Sequence, residues 1–302
     1  MAAAATGVQV GAAIVASRFA VAEVPPLTLA MLRYAVGFAC LLPFAWRETR
    51  RTLSAGAPAP VAGSRGRDLA AMAALGIGQF GILIALLNFG LQHVGAAQAA
   101  LIFSLFPLLT LLLSAALGQE RITRALLAGV LLSIAGVALA LGPKLQLAAG
   151  NHWWGELAVA AAALTGAVCS VLYRPFLRRY PTLPVSAFAM LASVAFLAVA
   201  AATEHWPQRL GAIGPAAWGA VAFIGVSSGV GYFWWLYALK HEPATRVTVF
   251  LALNPVTAAL LGWALLGERL HPTALGALVL IALALWLATR SPAAGTGSSG
   301  PR

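Results

Sequence analysis

The sequence predicts an all-α integral membrane protein of ten transmembrane helices, built as two inverted five-helix repeats. Composition is the first reason: hydrophobic residues fill 61% of the 302 positions and charged residues 9%, proportions of a polytopic membrane chain rather than a globular one. The second reason is the length of the apolar runs. About twenty helical residues cross a hydrocarbon core of about 30 Å, and ten such runs follow one another. The third is an internal repeat. Asn88 to Ile122 returns as Leu236 to Leu270, with His93 matching His241, Pro107 matching Pro255, Glu120 matching Glu268 and Arg121 matching Arg269 at a constant offset of 148. So long a period exceeds that of solenoid arrays and marks duplication of a half-protein, which suggests a site between the halves.

The first half, residues 1–142, holds runs at Ala4–Ala22, Leu27–Trp46, Leu69–Leu91, Ala96–Leu117 and Ala125–Leu141. The second, residues 143–290, holds Trp153–Tyr173, Val185–Ala202, Ala216–Leu239, Ala244–Leu266 and Thr273–Thr289. No basic segment precedes the first run, which argues against a cleaved signal peptide. Arg18 near the end of that run and Arg33 inside the second are costly in lipid, so each should snorkel or face a partner or water, with Glu23 a candidate partner for Arg18. Arg47–Asp68 mixes arginines with Ala, Gly, Pro and Ser and reads as a flexible connector, and residues 291–302 read as a disordered tail. Pro107 and Pro255 fall within the fourth and ninth runs. There a proline removes a backbone donor and frees the carbonyl four residues back, a kink that serves either packing or an aqueous cavity. In the fifth run Ala125, Gly129 and Ser133, with Gly136 one turn on, permit close helix approach and suit a scaffold or homodimer contact.

The net charge of +11 raises a nucleic-acid partner as a question, and the positions of the charges answer it. With a cytoplasmic amino terminus, the inner loops and tail hold Arg47, Arg50, Arg51, Arg65, Arg67, Arg121, Arg124, Arg174, Arg178, Arg179, Lys240, Arg290 and Arg302. The outer loops hold only Lys144, Arg209 and Arg269. That bias places both termini inside and makes the basic surplus a topology signal, with anionic lipid headgroups rather than nucleic acid as its partner. Five runs per half is an odd number, so the second half enters the membrane from the opposite side. The Glu-Arg pairs read as turn chemistry at helix ends.

Inverted halves allow two mirror-related conformations that open one cavity to each side in turn, as a carrier requires. An enzyme would need convergent acid, base or metal groups at depth; the sequence offers no HExxH, no paired intramembrane carboxylates and no His or Cys cluster, and it calls for no cofactor. Cys40 and Cys169 lie singly in apolar runs as packing residues. Candidate solute-binding side chains share helical faces. Arg246, Phe250, Asn254 and Thr257 lie on one face of the ninth run, and Gln98, Phe106 and Thr110 form a band in the fourth. Ser228, Tyr232 and Trp235 follow in the eighth, and Thr165, Cys169 and Tyr173 in the sixth; Gln79 and Gln9 mark the third and first. Each face reads as cavity lining or as interhelical hydrogen bonding worth about 1 kcal/mol per contact. Arg246 is the expected anchor for a substrate carboxylate, unless it snorkels from the helix start. Tyr232, Trp234, Trp235 and Tyr237 would stack an aromatic solute or form an interfacial belt. Carboxylates stay near helix ends, which favours facilitated diffusion or exchange over a proton relay. His93 and His241 are expected at the surface.

Pro25 to Gly37 (PPLTLAMLRYAVG), the fourth and ninth runs with Pro107 and Pro255, the GQERI and GERL endings at Gly118 and Gly267, and Tyr232 to Leu239 (YFWWLYAL) resemble EamA-type members of the drug/metabolite transporter superfamily. The resemblance covers nearly the whole chain, and its strength lies in the paired repeat. It implies a ten-helix carrier of the cell inner membrane that exports amino acids or other small metabolites, with a cavity lined by helices 1, 3, 4, 6, 8 and 9. One departure is at the start, where GVQVGAAIVASR (Gly7 to Arg18) stands in place of the Trp-Gly pair with which members often begin.

Overall fold

The computed structural model describes residues 2–54, 65–119, 153–241, 253–267 and 272–290, with isolated positions between 124 and 139 and Val247. The regular elements among them are all helical. In chain order they are α1 (Ala2–Ala20), α2 (Pro26–Ser54), α3 (Arg65–Gly76), a π-helical segment (Ile77–Ile82), α4 (Leu83–His93), α5 (Ala96–Phe103), α6 (Phe106–Ala116), α7 (Trp154–Arg179), α8 (Thr182–Ala200), α9 (Pro215–His241), α10 (Leu253–Leu266) and α11 (Pro272–Arg290). Among the described residues, six stretches are long and apolar enough to cross a membrane: Pro26–Arg51, Gly66–His93, Gln98–Ala116, Trp154–Leu177, Thr182–Glu204 and Pro215–His241. Val8–Ala20 and Leu275–Ala284 are shorter apolar helices. The Glu-Arg pairs, Arg246, Phe250, the middle of the connector and the tail lie outside the described residues.

The connector expected from Arg47 to Asp68 is partly helical. Residues 47–54 continue α2 and residues 65–68 begin α3. Arginine favours a helix C-terminus, where it meets the negative end of the helix dipole, and the Arg50 guanidinium stacks 5.0 Å from the Trp46 ring centre. At the start of α3, buried Asp68 accepts a 3.0 Å hydrogen bond from Tyr180 Oη and pairs with Arg179 at 3.7 Å.

Polar contacts sort the helix ends into two groups. At one end the Glu204 carboxylate accepts from Leu27 N, Thr28 N and Thr28 Oγ1 at 3.0, 2.7 and 2.8 Å, an anion on the positive end of α2. Glu23, proposed for Arg18, instead accepts from Gly214 N at 3.0 Å, just before α9. Asn88 Nδ2, late in α4, donates to Pro26 O at the same end. The opposite end holds Asp68, Tyr180 and Arg179, and Gln119 beyond α6 shares a pocket there with Arg174 and Arg179. Residues 65–93 and 213–241, related by the sequence offset, therefore run in opposite directions through the bundle. Their ends are built alike: His93 Nδ1 lies 3.0 Å from Phe89 O and His241 Nδ1 lies 2.8 Å from Tyr237 O, each ring packed on the aromatic ring four residues back. Both histidines are exposed.

Pro107 breaks its span. α5 stops at Phe103 and α6 resumes at Phe106, while Ser104 Oγ donates to Leu101 O at 2.5 Å and Leu105 N turns to Ile102 O at 3.0 Å. These bonds satisfy carbonyls that a continuous helix would have used. Pro255 is the third residue of α10. Gly118 after α6 and Gly267 after α10 both take positive φ, 68° and 64°, the left-handed stop that glycine allows. They stand 149 apart, so the glycine stop is displaced by one residue while the flanking repeat keeps its offset of 148.

A close backbone crossing joins α2 to α9. A Cβ on Gly229 would stand 2.8 Å from Gly37 O, and one on Gly37 would stand 3.2 Å from Gly225 O. Small residues four apart let the two backbones touch. The Gly229→Leu variant is expected to destabilise the protein by about 1–3 kcal/mol through overpacking, read as a lower unfolding midpoint in detergent. Gly219→Leu, on an open face of the same helix, should leave that midpoint within error of the parent.

Candidate functional site

The α2–α9 crossing sets the site. Arg33 lies one turn before Gly37, and its Nε donates to Ser228 Oγ at 2.6 Å, with both side chains buried. Beside this pair opens a cavity of about 100 Å³. Gln9, Val10, Ala13 and Ile14 of α1 line it, with Arg33 and Tyr34 of α2, Gln79 and Phe80 of the π-helical segment, and Leu83, Ile84 and Leu87 of α4. Phe103 and Phe106 close it from the broken span, and Ser228, Gly231, Tyr232 and Trp235 from α9.

Local irregularity aims several of these groups. A π-helical turn re-registers the side chains that follow it and is frequent at functional sites; here it carries Gln79 and Phe80. The Gln79 Oε1 is buried with no hydrogen-bond partner among the described residues. An aromatic wall forms by edge and tilted contacts, with Phe80 4.7 Å from Tyr34 and 4.1 Å from Tyr232 between ring centres. Phe106 stacks on Phe103 at 5.5 Å and meets Trp235 at 6.0 Å. Such rings offer flat apolar surface with a polar handle on each tyrosine.

Six of the side chains chosen from sequence meet here: Gln9, Gln79, Phe106, Ser228, Tyr232 and Trp235. Others lie elsewhere. Gln98 Nε2 donates to Glu156 Oε1 at 3.0 Å between the starts of α5 and α7, and Thr165 Oγ1 bonds back to Ala161 O at 2.8 Å. Asn254 is buried against α1, where its backbone lies close to Gly11. Helix 6 of the expected lining is represented by no side chain; Cys169 instead backs Gly78 from behind the π-helical segment. Sequence reasoning passed over helix 2, which supplies Arg33 and Tyr34. The signal was present, because a guanidinium inside a span needs a partner or water.

Comparison with known proteins places this architecture. A model described as the EamA-like transporter family matches residues 1–142 and again 153–290. The chain belongs to the EamA-like transporter family. Within that family it is 26% identical over 287 residues to an uncharacterised transporter of Archaeoglobus fulgidus, covering 93% of this chain and 94% of the relative. It is 32% identical over 225 residues to a probable terminal-alkyne amino-acid exporter of Streptantibioticus cattleyicolor, covering 73% of each. A crystal structure of a protein superposes with a TM-score of 0.67 at 26% identity, covering 96% of this chain and 98% of that one. The EamA-like chain is thus a multi-pass membrane protein of a transporter family, and the cavity is its candidate solute site.

Position within the cavity separates two groups of polar residues. Gln79→Leu is expected to lower solute uptake in reconstituted vesicles by about tenfold, the loss of a buried hydrogen-bonding group facing solute. Thr203→Val, exposed and outside the cavity, should transport at the parent rate.

Proposed function

We propose that this protein is a secondary transporter that exports amino acids or related small amphipathic solutes, aromatic ones among them, by alternating access. The observation that carries the reading is the central cavity, to which both sequence-related halves contribute: α1, α2, the π-helical segment and α4 to α6 from one and α9 from the other. The aromatic wall suits an apolar solute body, and the amino-acid exporter among the relatives is a precedent for the solute class.

The architecture proposed is ten spans in two inverted halves, residues 1–142 and 143–290, in the cell inner membrane with both termini cytoplasmic. Support comes from the opposite directions of residues 65–93 and 213–241 and from the twice-matching family model. The placement of Gln119 beside Arg174 and Arg179, at the far end from the start of α7, supports a fifth span between them. The gathering of Arg174 and Arg179 at that end supports a cytoplasmic assignment for it. Gln98, Thr165, Arg246, Phe250 and Asn254 complete the proposed solute path in other conformations of the carrier, with Pro107 and Pro255 as its helix kinks.

Counterflow in proteoliposomes tests the function. Vesicles preloaded with unlabelled amino acid should accumulate the labelled form, at a rate unchanged by an imposed pH gradient. Absence of counterflow across a panel of aromatic and aliphatic amino acids would contradict the reading.

A further inference from the structure

Arg33 is 6% exposed, and its direction is unusual for a charge in a membrane helix. It lies seven residues after Pro26, about 10 Å into the helix at 1.5 Å per residue. A snorkelling arginine would send its guanidinium toward the nearer interface. This one reaches instead to Ser228, the midpoint of the 27-residue α9. The charge is therefore held near the middle of the bundle.

Among the described residues no carboxylate balances it, and those that line the cavity include neither Asp nor Glu. Nε is the one guanidinium nitrogen with a described hydrogen-bond partner. The two terminal nitrogens remain as a fork, the geometry that grips a carboxylate through two parallel bonds. A desolvated cation without a counter-ion is unfavourable, so an incoming anion is bound more strongly here than it would be at the surface. Tyr34 flanks the guanidinium at 5.5 Å, and Phe80, Tyr232 and Trp235 extend the apolar wall beyond it. On the same cavity, the unpartnered Gln79 Oε1 is an acceptor for an N–H donor.

We propose that Arg33, held by Ser228, is the anchor for a solute carboxylate, and that the cavity selects monocarboxylates with an apolar or aromatic body. An α-amino acid is the fullest match, its carboxylate on Arg33 and its ammonium on Gln79, whereas amines lacking the carboxylate are rejected by the uncompensated charge. This assignment rests on the transport reading above, and it places the anchor on helix 2 rather than at Arg246.

The test compares phenylalanine, 3-phenylpropionate, phenethylamine and phenylalaninamide as stabilisers of the purified full-length protein in detergent, with counterflow of phenylalanine measured in parallel. Both acids should raise the unfolding midpoint of the parent, and the amine and amide should not. Arg33→Gln should bind both acids about tenfold or more weakly. Where that variant does not fold, Arg33→Lys carries the test: it keeps the charge, loses the fork and should still weaken both acids. Ser228→Ala should weaken the acids less than either. The assignment is overturned if the parent takes the amine as tightly as the acids, if no carboxylate stabilises it, or if the arginine variants bind acids like the parent. Carboxylate binding without counterflow would sink the transport reading and leave the anchor standing. Counterflow indifferent to Arg33 would do the reverse.

Discussion

The hydrogen bond from Arg33 to Ser228 is the contact on which the rest of the site depends. It exists because α2 and α9 approach closely enough at Gly37, Gly225 and Gly229 for one guanidinium to reach the neighbouring helix. A Cβ on Gly225 or Gly229 would stand 2.5 or 2.8 Å from atoms of α2, so a larger side chain there would push the two helices apart and strain this contact. Sequence sets the approach, the approach sets the depth of the charge, and the depth makes the charge useful: a guanidinium at the surface would be hydrated, screened and indifferent to solute.

The remaining polar architecture does a different task. Glu204 and Glu23 each accept backbone N–H groups at the start of a helix from another part of the chain, α2 and α9 respectively. Both helices of the central crossing are thus fixed at the same end by carboxylates that compensate their dipoles. The site is held in register from its end and from its middle, while its walls combine aliphatic side chains with aromatic rings meeting at edges and tilts. The break at Pro107 and the π-helical turn at Gln79 both interrupt α-helical regularity within a span, and both border the cavity.

Much of this was legible in the residues. Apolar run length located the six long spans, and the repeat pairs His93 with His241 as surface residues; the fold makes them the last residues of α4 and α9. Faces were less legible. Helical periodicity groups Thr165 with Cys169 and Tyr173, yet cannot say whether that face meets a cavity or a neighbour. In the fold Thr165 bonds to its own helix, Cys169 backs Gly78 and Tyr173 donates to Met72 O. Gln98 reads as lining for the same reason and instead joins Glu156. Arg33 was visible as an expensive charge, but its partner is 195 positions away, a separation no local pattern reveals. The connector after Trp46 was misjudged because Gly and Pro in its centre outweighed the helix-favouring arginines at its start.

The central claim is that the space beside Arg33 is a solute passage rather than a packing defect. It is tested most directly by placing single cysteines at Val10 and Leu87, on opposite reaches of the lining, in a protein whose Cys40 and Cys169 have been replaced, and exposing oriented vesicles to a membrane-impermeant thiol reagent from each face. The account predicts that both positions react, from opposite faces, and that added solute slows the labelling. Labelling of neither position from either face would show a sealed void and contradict it.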